Sequence, residues 1–293
     1  MTDGPVENTF VELRDVSRSY GGVTVLDAVS LSIGPGVTAV IGPNGSGKST
    51  LLGIVAGAID PVSGSVERSE RRRERGSAAR ESVGTRSVGY LPQRVPFREA
   101  FTARETLGFY ARLVGEEPEP FLEAVGLGDA ADKRVEALSG GMRRLLGIAQ
   151  ATIGDPPVVV LDEPTSGLDP GMRRRAFAVA ADRAGESDSD DAGRGDDGTG
   201  STAVVVSSHD LDLVDEYADG VVLLRRGRVA AAGDRDALLE THGVADVTEL
   251  YRTVIDGDPA ADGRTDGDRG ADDRSDRPDA TSRSVHVTGV SER

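Results

Sequence analysis

The stretch Gly42-Pro43-Asn44-Gly45-Ser46-Gly47-Lys48-Ser49 decides the reading of this chain. It follows the pattern Gly-x4-Gly-Lys-Ser. Ahead of it runs an apolar, β-branched segment, Val37 to Ile41; behind it Thr50-Leu51-Leu52-Gly53-Ile54-Val55 reads as the start of a helix. Strand, glycine loop and helix in that order form a phosphate cradle. Glycines let successive backbone N–H groups curl around an anion, and the helix adds its unpaired N–H groups and positive dipole end. Lys48 is placed to reach the β- and γ-phosphates, and the Ser49 hydroxyl to ligate Mg²⁺. The stretch therefore predicts binding of a nucleoside triphosphate.

Around it, the composition narrows the class. The chain has 293 residues, 37% of them hydrophobic, enough for one large or two small domains. No apolar run approaches the roughly 20 residues of a membrane helix, and Met1-Thr2-Asp3-Gly4 lacks the basic-then-apolar start of a signal peptide. A soluble chain is expected, with any membrane role supplied by a partner. The absence of cysteine excludes disulfides and thiolate metal sites. Acidic residues number 50 against 34 basic ones, for a net charge of −16. Only Lys48 and Lys133 are lysines, while 31 of the acids are Asp. That bias looks like the proteome of a salt-in halophile, whose hydrated acidic surfaces resist precipitation. It also argues against a nucleic-acid partner.

Along the chain, Phe10–Leu13, Val23–Leu26 and Val29–Ile33 read as strands, and Gly34-Pro35-Gly36 as a turn. Residues 67–86, rich in Arg, Glu and Ser, read as a surface loop extension. Val88-Gly89-Tyr90-Leu91 is a strand entering the turn Pro92-Gln93. Thr102-x-x-Glu105 is a capping box, opening a helix whose apolar face is Leu107, Tyr110, Ala111 and Val114. A short helix over about 120–126 and another after Ser139 complete a helical segment. Val158–Leu161, Ala203–Val206 and Val221–Leu224 are continuous apolar runs, as in strands buried on both faces of a parallel sheet. Arg225-Arg226-Gly227-Arg228 turns into Val229–Ala232 as a hairpin. Residues 185–201 and 256–293 are acidic, with almost nothing to bury; a loop insertion and a disordered tail are expected there.

Taken together, residues 8 to about 240 resemble an ATP-binding cassette (ABC) nucleotide-binding domain. The resemblance implies an α/β P-loop NTPase fold with a parallel core sheet, an N-terminal antiparallel β subdomain and an inserted helical subdomain near 95–153, the whole spanning 8–255. It assigns ATP to Gly42, Pro43, Asn44, Gly45, Ser46, Gly47, Lys48, Ser49 and Thr50. Asp162 and Glu163 close the apolar strand 158–161; the first would hold Mg²⁺ with Ser49, the second would polarise the attacking water. Gln93 sits where the family has a glutamine that touches Mg²⁺ or that water. His209, after Val206-Ser207-Ser208, matches the histidine that contacts the γ-phosphate.

Leu138-Ser139-Gly140-Gly141-Met142 is similar to the family signature, which binds ATP held by the other subunit; Met142 replaces the usual Gln. Ser166-Gly167-Leu168-Asp169 resembles the loop crossing the dimer interface, with Asp169-Pro170 also reading as a helix N-cap and first residue. Tyr20, 22 residues before Gly42, stands where an aromatic stacks on adenine. The resemblance implies the ATPase subunit of a transporter, dimeric, on the cytoplasmic face of the cell membrane and peripheral through a separate permease. Local flavour around Met142-Arg143-Arg144 points to the ABC-2 type or multidrug exporter branch. An importer ATPase and a soluble non-transport cassette are the alternatives.

Overall fold

Two β-sheets organise the chain in its computed structural model, which describes residues 9–68, 87–185, 202–257 and the backbone of 285–287. The elements follow in order as β1 (Val11–Tyr20), β2 (Val23–Ile33), β3 (Gly36–Ile41), α1 (Lys48–Val55), β4 (Ser63–Arg68) and β5 (Val88–Leu91). Next come α2 (Ala103–Val114), α3 (Glu119–Ala124), α4 (Gly140–Thr152), β6 (Val158–Asp162), α5 (Pro170–Gly185) and β7 (Ala203–Ser207). The last are α6 (Leu211–Tyr217), β8 (Gly220–Arg225), β9 (Arg228–Asp234), α7 (Arg235–His242), α8 (Val247–Tyr251) and β10 (Val285–Val287).

The larger sheet has the order β5-β6-β7-β3-β8-β9, parallel except for the β8–β9 hairpin at one edge. Its central strands are buried on both faces, and their alternation divides two cores. Val158, Val160, Val205, Val222 and Val40 face α1 and the N-terminal sheet, with Leu51, Ile54, Leu13 and Leu31. Val159, Leu161, Val206, Leu223 and Ile41 face the helical side, with Leu107, Leu122, Leu145 and Phe177. A one-residue slip of any central strand would exchange the two sets.

The smaller sheet has the order β10-β2-β1-β4, with β1 antiparallel to both β2 and β4. The two strands expected over 23–33 are one. Irregular register with β1 absorbs the break between them: Asp15 and Ala28 both adopt φ +50°, and their N–H groups are taken by the hydroxyls of Ser30 and Ser17 at 2.9 Å. Residues 67 and 68, expected in a loop, end β4 instead, paired with Glu12 and Val11. The rest of that loop, the insertion 185–201 beyond Gly185 and most of 256–293 fall outside the described residues. Within the stretch expected as a tail, the backbone of Val285–Val287 pairs in parallel with Leu31–Ile33 on β2.

Helices α2, α3 and α4 lie between β5 and β6 in sequence. Thr102 caps α2 as the pattern required, taking the Glu105 N–H at 3.0 Å while the Glu105 carboxylate takes the Thr102 N–H at 2.8 Å. Met142 is half buried against the helical-side core, which accounts for an apolar residue at that position.

Candidate functional site

The site lies where the parallel strands end. β3 and β6 flank β7, and the registers Val40↔Ser207 and Asp162↔Ser207 bring all three C-terminal ends level. Ligands of open α/β sheets bind at such an edge.

From β3 the chain enters the glycine loop. Gly47 has φ +107°, and a Cβ there would stand 2.8 Å from Leu26 Cδ2 and 2.9 Å from the Val25 carbonyl, so only glycine allows the loop to lie against β2. α1 begins at Lys48, and its first-turn N–H groups have no partner within the helix. Lys48 is buried, its Nζ donating to the carbonyls of Gly42 at 2.8 Å and Pro43 at 3.1 Å. Burial lowers its pKa, opposed by the negative charges of Glu163 and Asp162. Ser46 Oγ is buried with no hydrogen-bond partner. An orphaned hydroxyl, open helix N–H groups and a buried ammonium are the donors a polyphosphate needs.

Asp162 is 2% exposed and its Oδ1 gathers two hydroxyls, Ser207 Oγ at 2.7 Å and Ser49 Oγ at 3.2 Å. Among the described residues no three His, Cys, Asp or Glu side chains cluster as a metal cage. One carboxylate facing one hydroxyl beside a phosphate loop is the set that Mg²⁺ uses, because it keeps waters and takes phosphate oxygens for the rest.

Glu163 sits at φ +50°, strained by about 1–3 kcal/mol for a residue with a Cβ. Its conformation is held from several sides. Ser207 Oγ accepts its N–H at 2.8 Å, His209 Nε2 lies 3.1 Å from Oε1, and Gln93 Nε2 donates to Oε2 at 3.3 Å. The carboxylate is 18% exposed and the imidazole 48%. The structure thus brings the Gln93 amide within hydrogen-bond reach of Glu163. A carboxylate oriented by an amide and an imidazole, beside a phosphate cradle, can take a proton from a water attacking the terminal phosphate.

Two further residues complete the cluster. Ser207, two residues before His209, joins Asp162 to Glu163 through its hydroxyl. Arg144, two residues after Met142, is buried and donates to four backbone carbonyls: Nη1 to Pro92 at 3.0 Å and Gln93 at 2.9 Å, Nη2 to Glu163 at 2.7 Å and to Asp162. Burial lowers its pKa, offset by the charges of Asp162 and Glu163, but an arginine stays protonated.

Ser139, Gly140 and Gly141 open α4, the helix that carries Arg144. Ser139 Oγ accepts the Met142 N–H at 3.1 Å, and Ser139 and Gly140 are exposed. A Cβ on Gly141 would come within 2.5 Å of Met172 Sδ and 3.2 Å of Leu168 Cδ2, so glycine there lets the start of α4 lie against the 166–169 loop. Asp169 caps α5, its Oδ1 accepting the Met172 N–H at 2.9 Å. Arg173 links that loop to the segment after His209, through the Leu168 carbonyl at 2.8 Å and Asp210 at 3.3 Å. Tyr20 ends β1, 43% exposed, with the Arg18 guanidinium 4.6 Å from its ring centroid.

This arrangement defines a P-loop nucleotide-binding site, and comparison with known proteins narrows it. The family described as ABC transporter matches residues 26–166. The Nod factor export ATP-binding protein I of Burkholderia orbicola is 32% identical over 264 residues, 86% of this chain and 78% of that protein. Among solved structures, an ATP-binding subunit of an ABC transporter superposes with a TM-score of 0.68 at 26% identity, over 84% of this chain and 99% of that one. A dimeric bacterial ABC transporter cassette shares the fold at 22% identity and a TM-score of 0.62, over 76% of this chain and 98% of that one. The chain belongs to the ABC transporter ATP-binding proteins, the ATPases that power transport. No helix among the described residues is long and apolar enough to cross a membrane.

Proposed function

We infer that this chain works as a dimer beneath a separate membrane permease, hydrolysing ATP with Mg²⁺ to drive export. The observation that carries the dimer is the incompleteness of the site within one chain. Lys48, Ser49, Asp162, Glu163, Gln93 and His209 converge at one sheet edge, while Ser139 and Gly140, exposed at the N-terminus of α4, share no described hydrogen bond with them. A second copy facing the first would bring that N-terminus to the terminal phosphate. The dimeric solved cassette is consistent with this assembly.

In this reading Gly42 to Thr50 hold the phosphates and Tyr20 stacks on the base. Ser49 and Asp162 hold Mg²⁺, which when bound neutralises charge on the β- and γ-phosphates. Glu163 takes the proton of the attacking water; Gln93 and His209 aim its carboxylate. Asp169 and its loop lie at the contact between copies, and α2 to α4 pass the closure of the dimer to the permease.

Export, and the ABC-2 type branch, rest on the relatives named for Nod factor export and on Met142. Attachment to the cytoplasmic face follows from a permease partner. The acidic, lysine-poor composition supports a protein adapted to high salt; an unfolding midpoint that does not rise between about 0.1 and 3 M KCl would remove that support. The decisive experiment is recovery of the tagged protein from membranes in high salt, with its partner identified by mass. A polytopic permease without its own cassette, of exporter architecture, is the expected result. Recovery with an importer permease would overturn export, and recovery with no membrane partner would overturn the transporter assembly.

A further inference from the structure

We propose that Arg144 is a positioning residue for ATP hydrolysis: its guanidinium fixes Gln93 and Glu163 relative to one another and ties both to the helix that opens with Ser139-Gly140-Gly141. The proposal rests on the ATPase reading of the cluster at Asp162 and Glu163.

β5 and β6 run side by side, and their ladder ends at the pair Leu91↔Leu161. Past that pair the two chains diverge, one into Pro92-Gln93 and the other into Asp162-Glu163. Arg144 spans the opening, with one terminal nitrogen on the carbonyls of Pro92 and Gln93 and the other on those of Asp162 and Glu163. Each terminal nitrogen carries two N–H groups, so a single planar group supplies all four bonds. Its Nε is buried and unpaired. A buried charge whose described hydrogen bonds all go to backbone carbonyls is a costly way to stabilise a fold. It is a direct way to lock two loop starts in one geometry.

That geometry matters at Glu163. With φ +50°, the residue keeps its conformation only where the surroundings over-determine it. Ser207 holds its N–H and Arg144 holds its carbonyl. The Ser166 N–H also reaches that carbonyl, at 3.1 Å, but it belongs to the same loop; without Arg144 the loop start loses its tie to β5 and α4, and the carboxylate moves away from Gln93 and His209. The Gln93 backbone loses its anchor in the same step. Arg144 also stands just over one turn into α4, whose first turn Ser139 caps. Displacement of that N-terminus by a partner's nucleotide therefore reaches Glu163 through one side chain. Lysine carries the charge but has a single nitrogen on a flexible stem, and cannot span both carbonyl pairs.

The test uses the purified full chain and the variants Arg144→Lys, Arg144→Met and Arg144→Gln. Steady-state ATP hydrolysis gives kcat and KM, a fluorescent ATP analogue gives Kd, and thermal melting gives the unfolding midpoint. The expected result is folded variants that bind the analogue within about threefold of the original chain while kcat falls at least roughly tenfold, with lysine giving no rescue. A lysine variant with kcat within about twofold of the original overturns the proposal. So does loss of folding in all three variants, which would make Arg144 a structural strut. Failure of the unmodified chain to hydrolyse ATP would instead remove the ATPase reading beneath it.

Discussion

Replacing Ser207 by alanine removes one oxygen that serves both acidic residues of the site. Ser207 is fully buried, its Oγ donating to Asp162 Oδ1 at 2.7 Å and accepting the Glu163 N–H at 2.8 Å. A hydrogen bond to a charged partner contributes about 1.5–3 kcal/mol, and a buried N–H left without its acceptor costs about 1–3 kcal/mol. The two losses share one atom and the chain relaxes around the gap, so a net loss of about 3 kcal/mol is a reasonable centre. For a domain of this size that corresponds to a fall of roughly 6–12 °C in unfolding midpoint. The functional effect is separate. With its N–H freed, Glu163 relaxes from φ +50° and its carboxylate loses aim, so kcat should drop by roughly tenfold or more while ATP affinity, which we assign to the loop 42–49, should hold. Calorimetry and phosphate-release kinetics on the same preparation read both quantities. A variant melting within about 1 °C of the original chain and turning over at its rate would refute the view that Ser207 sets the conformation of Glu163.

Glu163→Gln keeps the shape and removes the base: ATP binding should persist, dimers should accumulate with ATP, and kcat should fall by about 10² to 10⁴. Phosphate-release assays and size-exclusion chromatography read this, and ordinary turnover would exclude the assigned role. Tyr20→Ala removes a stacking surface worth about 1–3 kcal/mol, weakening ATP by roughly 5- to 150-fold in a titration with fluorescent nucleotide; unchanged affinity would place adenine elsewhere. Burial raises the pKa of Asp219 above the ordinary 3.8, opposed by the Val37 N–H that it accepts at 2.8 Å. Over the window between 3.8 and that raised value the folded chain binds the extra proton, so this contribution to stability is complete below 3.8 and declines as pH rises through the window. The melting difference between the original chain and Asp219→Asn should shift in that direction, and a pH-independent difference would contradict it.

What was legible in the sequence shares a physical property: its signal is local. The loop 42–49 declares itself because strand, glycines and helix start are contiguous, and Thr102-Glu105 because both halves of a capping box lie within one turn. The central strands were legible because burial on both faces demands an unbroken apolar run, as at Val158–Leu161. β4 was missed because Ser63-Gly64-Ser65-Val66-Glu67-Arg68 offers one apolar residue; its pairing with β1, not its own composition, makes it a strand. Ser207 and Arg144 were missed as site residues for a related reason. The partners of Ser207 are 44 and 45 positions away, and those of Arg144 lie 18 to 52 positions away and are backbone carbonyls, which no residue type announces. Spacing can place Asp162 and Glu163 at a strand end. Only the order β6-β7-β3 shows that the residue between them and the phosphate loop is Ser207, and only the gap beyond Leu91↔Leu161 gives Arg144 its place. The residues to which we assign chemistry were therefore chosen from local signals, while those that hold them in geometry become visible once the sheet is assembled.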